Sequence, residues 1–139
     1  MRVLIFVLGL VSCGYEQTGL PTGHEVMSMT APDGYSRAFV WKPDASGGAT
    51  GSQAFQVWIQ YLRADKDKMI GNNVRRLVFE NERTNGVKLA WKTPRELEIC
   101  YGPSIIFRFL NTFEYYEKHN KQGYEVEIIL RKERTLADC

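Results

Sequence analysis

Three cysteines are the residues of this sequence best suited to covalent chemistry, and each stands in a different setting. Cys13 follows an apolar run at residues 3–11 and the small residue Ser12. Cys100 ends the alternating stretch ELEIC, and Cys139 is the last residue of the sequence. A cysteine can be acylated, can form a disulfide, or can act as a nucleophile when a base activates it. The surroundings of each cysteine therefore decide which chemistry to expect.

Residues 1–13, MRVLIFVLGLVSC, have the order of a signal peptide: a charged start, an apolar stretch and a small residue. The apolar run is shorter than the roughly 20 residues that a membrane-spanning helix needs. Leu10-Val11-Ser12-Cys13 resembles the lipobox of bacterial lipoproteins, which implies cleavage before Cys13 and lipidation of that residue. The polar, glycine-rich residues 14–23 are then expected to be a flexible tether. The alternative is a buried first strand at residues 3–11 with Cys13 as a core cysteine.

Lipidation at Cys13 would place the protein in the bacterial cell envelope, with the membrane itself as a partner. Gly14, rather than Asp, follows the cysteine, which resembles lipoproteins forwarded to the outer membrane and favours its periplasmic face. In an oxidising compartment, Cys100 and Cys139 form an even pair that can make a disulfide. Alternation in ELEIC predicts that Cys100 faces outward. The alternatives are two free thiols or an intermolecular bridge through Cys139.

The composition indicates one globular domain, which we place at residues 24–139. The chain has 139 residues, of which 44% are hydrophobic and 12% aromatic, enough for a single core. The formal net charge is +2, with basic and acidic residues interleaved. No basic field is therefore available for a phosphate backbone, and a nucleic-acid partner is excluded.

From His24 onward the sequence alternates in short stretches separated by turn residues, which predicts an all-β fold. Pro32-Asp33-Gly34 favours a hairpin turn, and Thr93-Pro94-Arg95 predicts a second one. In AFQVWIQYL, alternation places Phe55, Val57, Ile59 and Tyr61 on one face and Gln56, Trp58 and Gln60 on the other. At residues 104–122 we expect a strand through Phe109, then a loop or short helix. The predicted architecture is an antiparallel meander of about seven strands in a small sandwich or open barrel.

Two stretches carry a resemblance to a known family. Residues 31–59, APDGYSRAFVWKPDASGGATGSQAFQVWI, resemble small uncharacterised bacterial envelope proteins with a SPDG…GATTG…QVS pattern. VKLAWKTPRELEICY is similar to a second hallmark of that family. Ala31 stands where Ser is usual, and Gly51 stands where a second Thr is usual. The resemblance implies an envelope protein and supplies no catalytic residue.

Other motifs that could carry chemistry are incomplete. The stretch SGGATGS at residues 46–52 lacks the Lys of a phosphate-binding loop and precedes a strand rather than a helix. The two histidines, His24 and His119, lack the spacing of metal ligands. Cys100 and His119 could pair as nucleophile and base, but nothing indicates a third, orienting group. We therefore predict no catalytic residue, no metal and no cofactor.

The remaining candidates for binding are aromatic and glycine residues. Trp58 lies among glutamines on a face predicted to be exposed, which suits contact with an envelope protein or glycan. The full predicted contact set is Gly47, Gly48, Thr50, Gln56, Trp58, Gln60, Tyr115 and Tyr116. The leading hypothesis is a non-catalytic, membrane-tethered binding module. The alternatives are a purely structural or stress-related surface lipoprotein and an envelope hydrolase.

Overall fold

A computed structural model describes residues 19–44, 54–62, 75–82, 86–116 and 123–139. These residues contain nine strands: β1 (Gly23–Thr30), β2 (Ser36–Pro43), β3 (Ala54–Tyr61), β4 (Arg75–Glu82), β5 (Val87–Thr93), β6 (Glu96–Tyr101), β7 (Ile106–Phe109), β8 (Thr112–Tyr116) and β9 (Gly123–Lys132). A 3₁₀ helix at Leu136–Asp138 follows β9. Within the described ranges, no helix has the length and apolar composition to cross a bilayer.

The strands form two sheets that pack around one core, as the alternation predicts. The first sheet has the order β1-β2-β3-β4-β7, and the second has the order β5-β6-β9-β8. The fold is a small β-sandwich rather than a closed barrel. Strands β1 to β4 form an antiparallel meander. The second sheet is mixed because β6 and β9 pair in parallel, a pairing that the sequence analysis did not predict.

The two predicted hairpin turns are present. Between β1 and β2, Gly34 adopts a φ of +73°, and the Asp33 side chain accepts a hydrogen bond from the Tyr35 amide at 2.9 Å. Between β5 and β6, the Thr93 hydroxyl accepts one from the Arg95 amide at 3.2 Å. A short polar side chain that accepts from the amide two residues further on favours a turn, as does a Gly at positive φ. Local turn chemistry thus sets these two connections.

The core contains the apolar faces that alternation predicts. On β3 these are Val57, Ile59 and Tyr61, and on β9 they are Tyr124, Val126 and Ile128. Strand β4 departs from simple alternation: Trp58 pairs with Leu77 and Val57 pairs with Phe79, which leaves Val78 as the extra residue of a bulge. Consecutive Val78 and Phe79 therefore both belong to the core between the sheets.

The chain crosses from one sheet to the other between β7 and β8. Strand β7 ends at Phe109, as predicted, but Thr112–Tyr116 forms a strand where a loop or short helix was expected. That expectation was wrong because Phe113 and Tyr115 alternate into the core while β8 pairs with β9. At the corner, the Leu110 amide donates to Val78 O and Asn111 O accepts from the Ile128 amide, each at 2.8 Å.

Candidate functional site

The face of the first sheet that was predicted to carry the contact surface is covered at its centre. Trp58 is 0% exposed and Gln56 is 5% exposed. The Trp58 ring packs with Phe39 and Leu77 in a second apolar cluster, and its indole N–H donates to Gln56 Oε1 at 3.2 Å. The prediction that Trp58 is an exposed contact residue was therefore wrong.

The residues just before β1 explain this burial. Leu20 and Trp41 pack against the Trp58 cluster, and the Trp41 indole donates to Pro21 O at 3.1 Å. At Gly23 a Cβ atom would lie 2.4 Å from Lys42 O, so the chain approaches β2 too closely for a side chain there. The last residues of the segment predicted as a tether thus lie on this face of the sheet. Alternation along one strand cannot reveal a cover contributed by another part of the chain.

Arg37 forms an ion pair and an aromatic contact on the same face of the first sheet. Its guanidinium donates to Glu25 and lies 5.0 Å from the centre of the Phe39 ring. Burial alone would raise the pKa of Glu25, but hydrogen bonds from Arg37 and Ser28, with the Arg37 charge, hold the pKa below its ordinary value. The pair therefore lies beside Phe39, a member of the Trp58 cluster.

The other predicted contact residues do not come together as one surface. Gln60 is half-buried on the Trp58 face. Tyr115 is 6% exposed, and its ring stacks on Tyr61 at 4.2 Å, so it belongs to the core rather than to a polar loop. Tyr116 lies on β8, where its backbone pairs with Gly123. The remaining predicted residues lie outside the described residues: Cys13, Gly47, Gly48 and Thr50.

Strand β7 carries a different apolar surface, which the sequence analysis missed. All four of its residues are exposed, and Phe107 is 51% exposed. Ile105, directly before the strand, is 61% exposed. We call residues 105–109 the β7 edge. No other run of consecutive residues in the described ranges exposes this many large apolar side chains.

Among the described residues, the backbone of the β7 edge is hydrogen-bonded only towards β4. Towards β4, Ile105 O accepts from the Glu82 amide at 2.8 Å, and Arg108 is the partner of Glu80 in the ladder. Strand β7 ends the sheet order, so no described strand pairs with its other side. Backbone groups of an antiparallel strand alternate between its two sides, and an unpaired side is a template for another strand. The sequence feature that could have indicated this exposed edge is IIFRF at residues 105–109, which has too many apolar residues for a strand with one buried face.

A buried tyrosine joins the two hairpin turns at one end of the sandwich. The Tyr124 hydroxyl lies 3.0 Å from Asp33 Oδ2 and 3.1 Å from Pro94 O, and it can donate its proton to either. The Arg95 guanidinium lies 4.0 Å from the centre of the Tyr124 ring. Burial raises the pKa of Tyr124, and the neighbouring Asp33 carboxyl raises it further. These contacts tie the first sheet to the second.

The Cys100–Cys139 disulfide fixes the C-terminal tail to the second sheet, with a Cα–Cα distance of 5.8 Å. The predicted faces of β6 are correct, since Leu97, Ile99 and Tyr101 are all in the core. Cys100 lies on the opposite face but is only 4% exposed. The alternation predicted the face of Cys100, but it could not predict how deeply the sulfur is buried.

In the part of the chain that the structure describes, no group of three or more His, Cys, Asp or Glu side chains is arranged to hold a metal ion. His24 is exposed on β1, and His119 lies outside the described residues. No family model, curated protein or solved structure matches this chain.

Proposed function

We propose that this protein is a lipid-anchored, non-catalytic binding module of the bacterial cell envelope that captures an extended segment of a partner protein along the β7 edge. The observation that carries the proposal is the exposure of every residue of an edge strand that is mostly apolar. An exposed apolar edge strand promotes aggregation by pairing with other chains, so a large exposed apolar patch of this kind commonly marks a binding site.

The chemistry of the β7 edge favours a protein segment over a glycan. A segment that adds to a sheet edge gains main-chain hydrogen bonds for affinity and side-chain contacts on alternate residues for specificity. Phe107 and Phe109 offer apolar contacts, while Arg108 offers one positive charge between them. The expected ligand is an extended stretch with apolar residues flanking an acidic one.

The proposed location rests on residues 1–13 and on the family resemblance. The signal-like order and the lipobox-like ending at Cys13 support acylation at that residue. Two or more acyl chains hold a protein firmly to a bilayer, whereas one chain holds it marginally. Intact mass of the protein extracted from bacterial membranes tests this directly. A mature chain that begins at acylated Cys13 is expected, and an unmodified chain that retains Met1 would rule the anchor out.

Crosslinking in native membranes tests the binding surface. Phe107→Ser removes the central side chain of the β7 edge, and Val26→Ser is a matched control because the two residues are 51% and 50% exposed. Exposed substitutions of this kind change stability by only about 0.5 kcal/mol. We expect Phe107→Ser to abolish a crosslinked partner protein that wild type and Val26→Ser retain. Equal recovery in all three proteins would exclude the β7 edge.

A further inference from the structure

The cross-strand neighbours of Cys100 are both cationic. On β5 the residue opposite Cys100 is Lys88, and on β9 it is Arg131. Residues directly opposite each other share a face of the sheet, with Cβ atoms about 5 Å apart. A cation beside a cysteine favours the thiolate and lowers the pKa of the thiol. A thiolate at position 100 would therefore lie beside two cationic side chains, of which Arg131 is itself paired with Glu98 and Glu133.

Two acidic side chains near Cys100, Glu98 and Glu133, are already in ion pairs. Glu98 accepts from Lys92 at 3.2 Å and from Arg131 at 3.4 Å, and Glu133 accepts from Arg131 at 2.7 Å. Lys88 is exposed and makes no ion pair within the described ranges. Its charge is thus available to the neighbouring sulfur.

The two halves of the disulfide differ in accessibility. Cys100 is 4% exposed on a central strand, whereas Cys139 is half-buried at the end of a short tail. The Arg131 hydrogen bond to Asp138 O and the packing of Leu136 near Gly86 hold the tail against the rest of the fold, and the Thr135–Asp138 side-chain hydrogen bond closes the tail on itself. Because Cys139 is the more exposed residue of the pair, we expect an incoming thiolate to attack its sulfur rather than the Cys100 sulfur.

We propose that the Cys100–Cys139 disulfide is an exchange-active redox site that accepts two electrons from a dithiol. The incoming thiolate forms a bond to Cys139 Sγ, the bond between the two protein sulfurs breaks, and its electron pair leaves on Cys100 as a thiolate beside Lys88 and Arg131. The second thiolate of the dithiol then attacks its partner sulfur in the mixed disulfide and releases Cys139 as a thiolate. The protein disulfide is reduced, the dithiol is oxidised to a disulfide, and solvent exchanges the protons. This inference is independent of the β7 edge.

The rate of reduction by dithiothreitol at pH 7 tests the role of Lys88. Lys88→Gln removes one cation beside Cys100, and Lys42→Gln removes one from the other sheet as a charge-matched control. A leaving thiol of lower pKa departs faster, so we expect Lys88→Gln to slow reduction severalfold. Lys42→Gln is expected to keep the wild-type rate. Alkylation followed by intact mass measures the reduced fraction, and equal rates in all three proteins would overturn the proposal.

A second measurement addresses the thiolate itself. In Cys139→Ser, the pH dependence of iodoacetamide alkylation reports the pKa of the Cys100 thiol. We expect a value below the ordinary value of about 8.5, and a higher value when Lys88→Gln is added. A Cys100 thiol that titrates at or above the ordinary value in both proteins would make the disulfide a structural staple only.

Discussion

Trp58 shows how the surroundings of a residue, rather than its type, decide its role. On its own strand the residues two positions before and after it are glutamines, which is typical of a solvent-facing position. In the fold, Phe39 and Leu77 from the adjacent strands flank it and Leu20 packs against this cluster. An indole in such a cluster stabilises the fold and is not available to a partner.

Replacing Trp58 should therefore reduce stability rather than binding. Trp58→Ala removes a side chain that is 0% exposed, which typically lowers the free energy of unfolding by about 3–5 kcal/mol. The half-buried neighbour on the same face, Gln60, serves as a control, and Gln60→Ala is expected to cost less than about 1 kcal/mol. Urea unfolding measures both. A Trp58→Ala protein with wild-type stability would place Trp58 at the surface.

The pairing of Cys100 with Cys139 could be anticipated from the sequence, whereas the cover over Trp58 could not. Alternation within the six residues of β6 predicts that Cys100 lies on the face opposite the core, where a cysteine from the tail can reach it. The burial of Trp58 depends on Leu20 and on the pairing of β2, β3 and β4. The sequence of one strand does not show which other strands will pair with it. Long-range assembly therefore decides what single-strand patterns leave open.

At the scale of elements, the sequence predicts turns well and sheet edges poorly. Asp33-Gly34 sets its hairpin through local hydrogen bonds and a positive φ. The β7 edge has no such local marker, since its exposure depends on its position at the end of the first sheet. Strand β8 was missed because residues 106–113 also fit helical spacing, and pairing with β9 decides between the two.

Two glycines of the β1–β2 hairpin should respond differently to alanine. At Gly34, φ is +73° and the space is open, so Gly34→Ala should cost about 1–2 kcal/mol from backbone strain alone. At Gly23, the new Cβ would also lie 2.8 Å from Pro43 Cα, so β1 must move away from β2. We expect Gly23→Ala to lower the free energy of unfolding by more than Gly34→Ala does. Urea unfolding tests the order, and the reverse order would contradict the close approach at Gly23.

At the scale of the whole molecule, Tyr124 joins the two sheets and gives the fold a dependence on alkaline pH. Its pKa is raised in the folded state, so the folded protein favours the protonated hydroxyl. The resulting stability is fully present below the ordinary tyrosine pKa of about 10 and is lost as the pH rises through the raised value. The connection between the two turns should therefore weaken in alkaline solution.

Tyr124→Phe tests this connection. At neutral pH we expect the substitution to lower the free energy of unfolding by about 1 kcal/mol, the usual contribution of one hydrogen bond. Above about pH 10 the difference from wild type should shrink, because wild type then loses the same contribution. The control is Tyr101→Phe, which changes a buried tyrosine on β6 that bonds to no aspartate among the described residues. Urea unfolding across this pH range gives the answer, and a constant difference would refute the assignment.

The parallel pairing of β6 with β9 has a consequence for the order of folding. Strand β9 is the central partner of both β6 and β8, although the chain visits the first sheet through β7 before it returns. A polypeptide that ends before Gly123 can complete the β1–β4 meander but only the β5–β6 hairpin of the other layer. Closure of the sandwich therefore waits for β9.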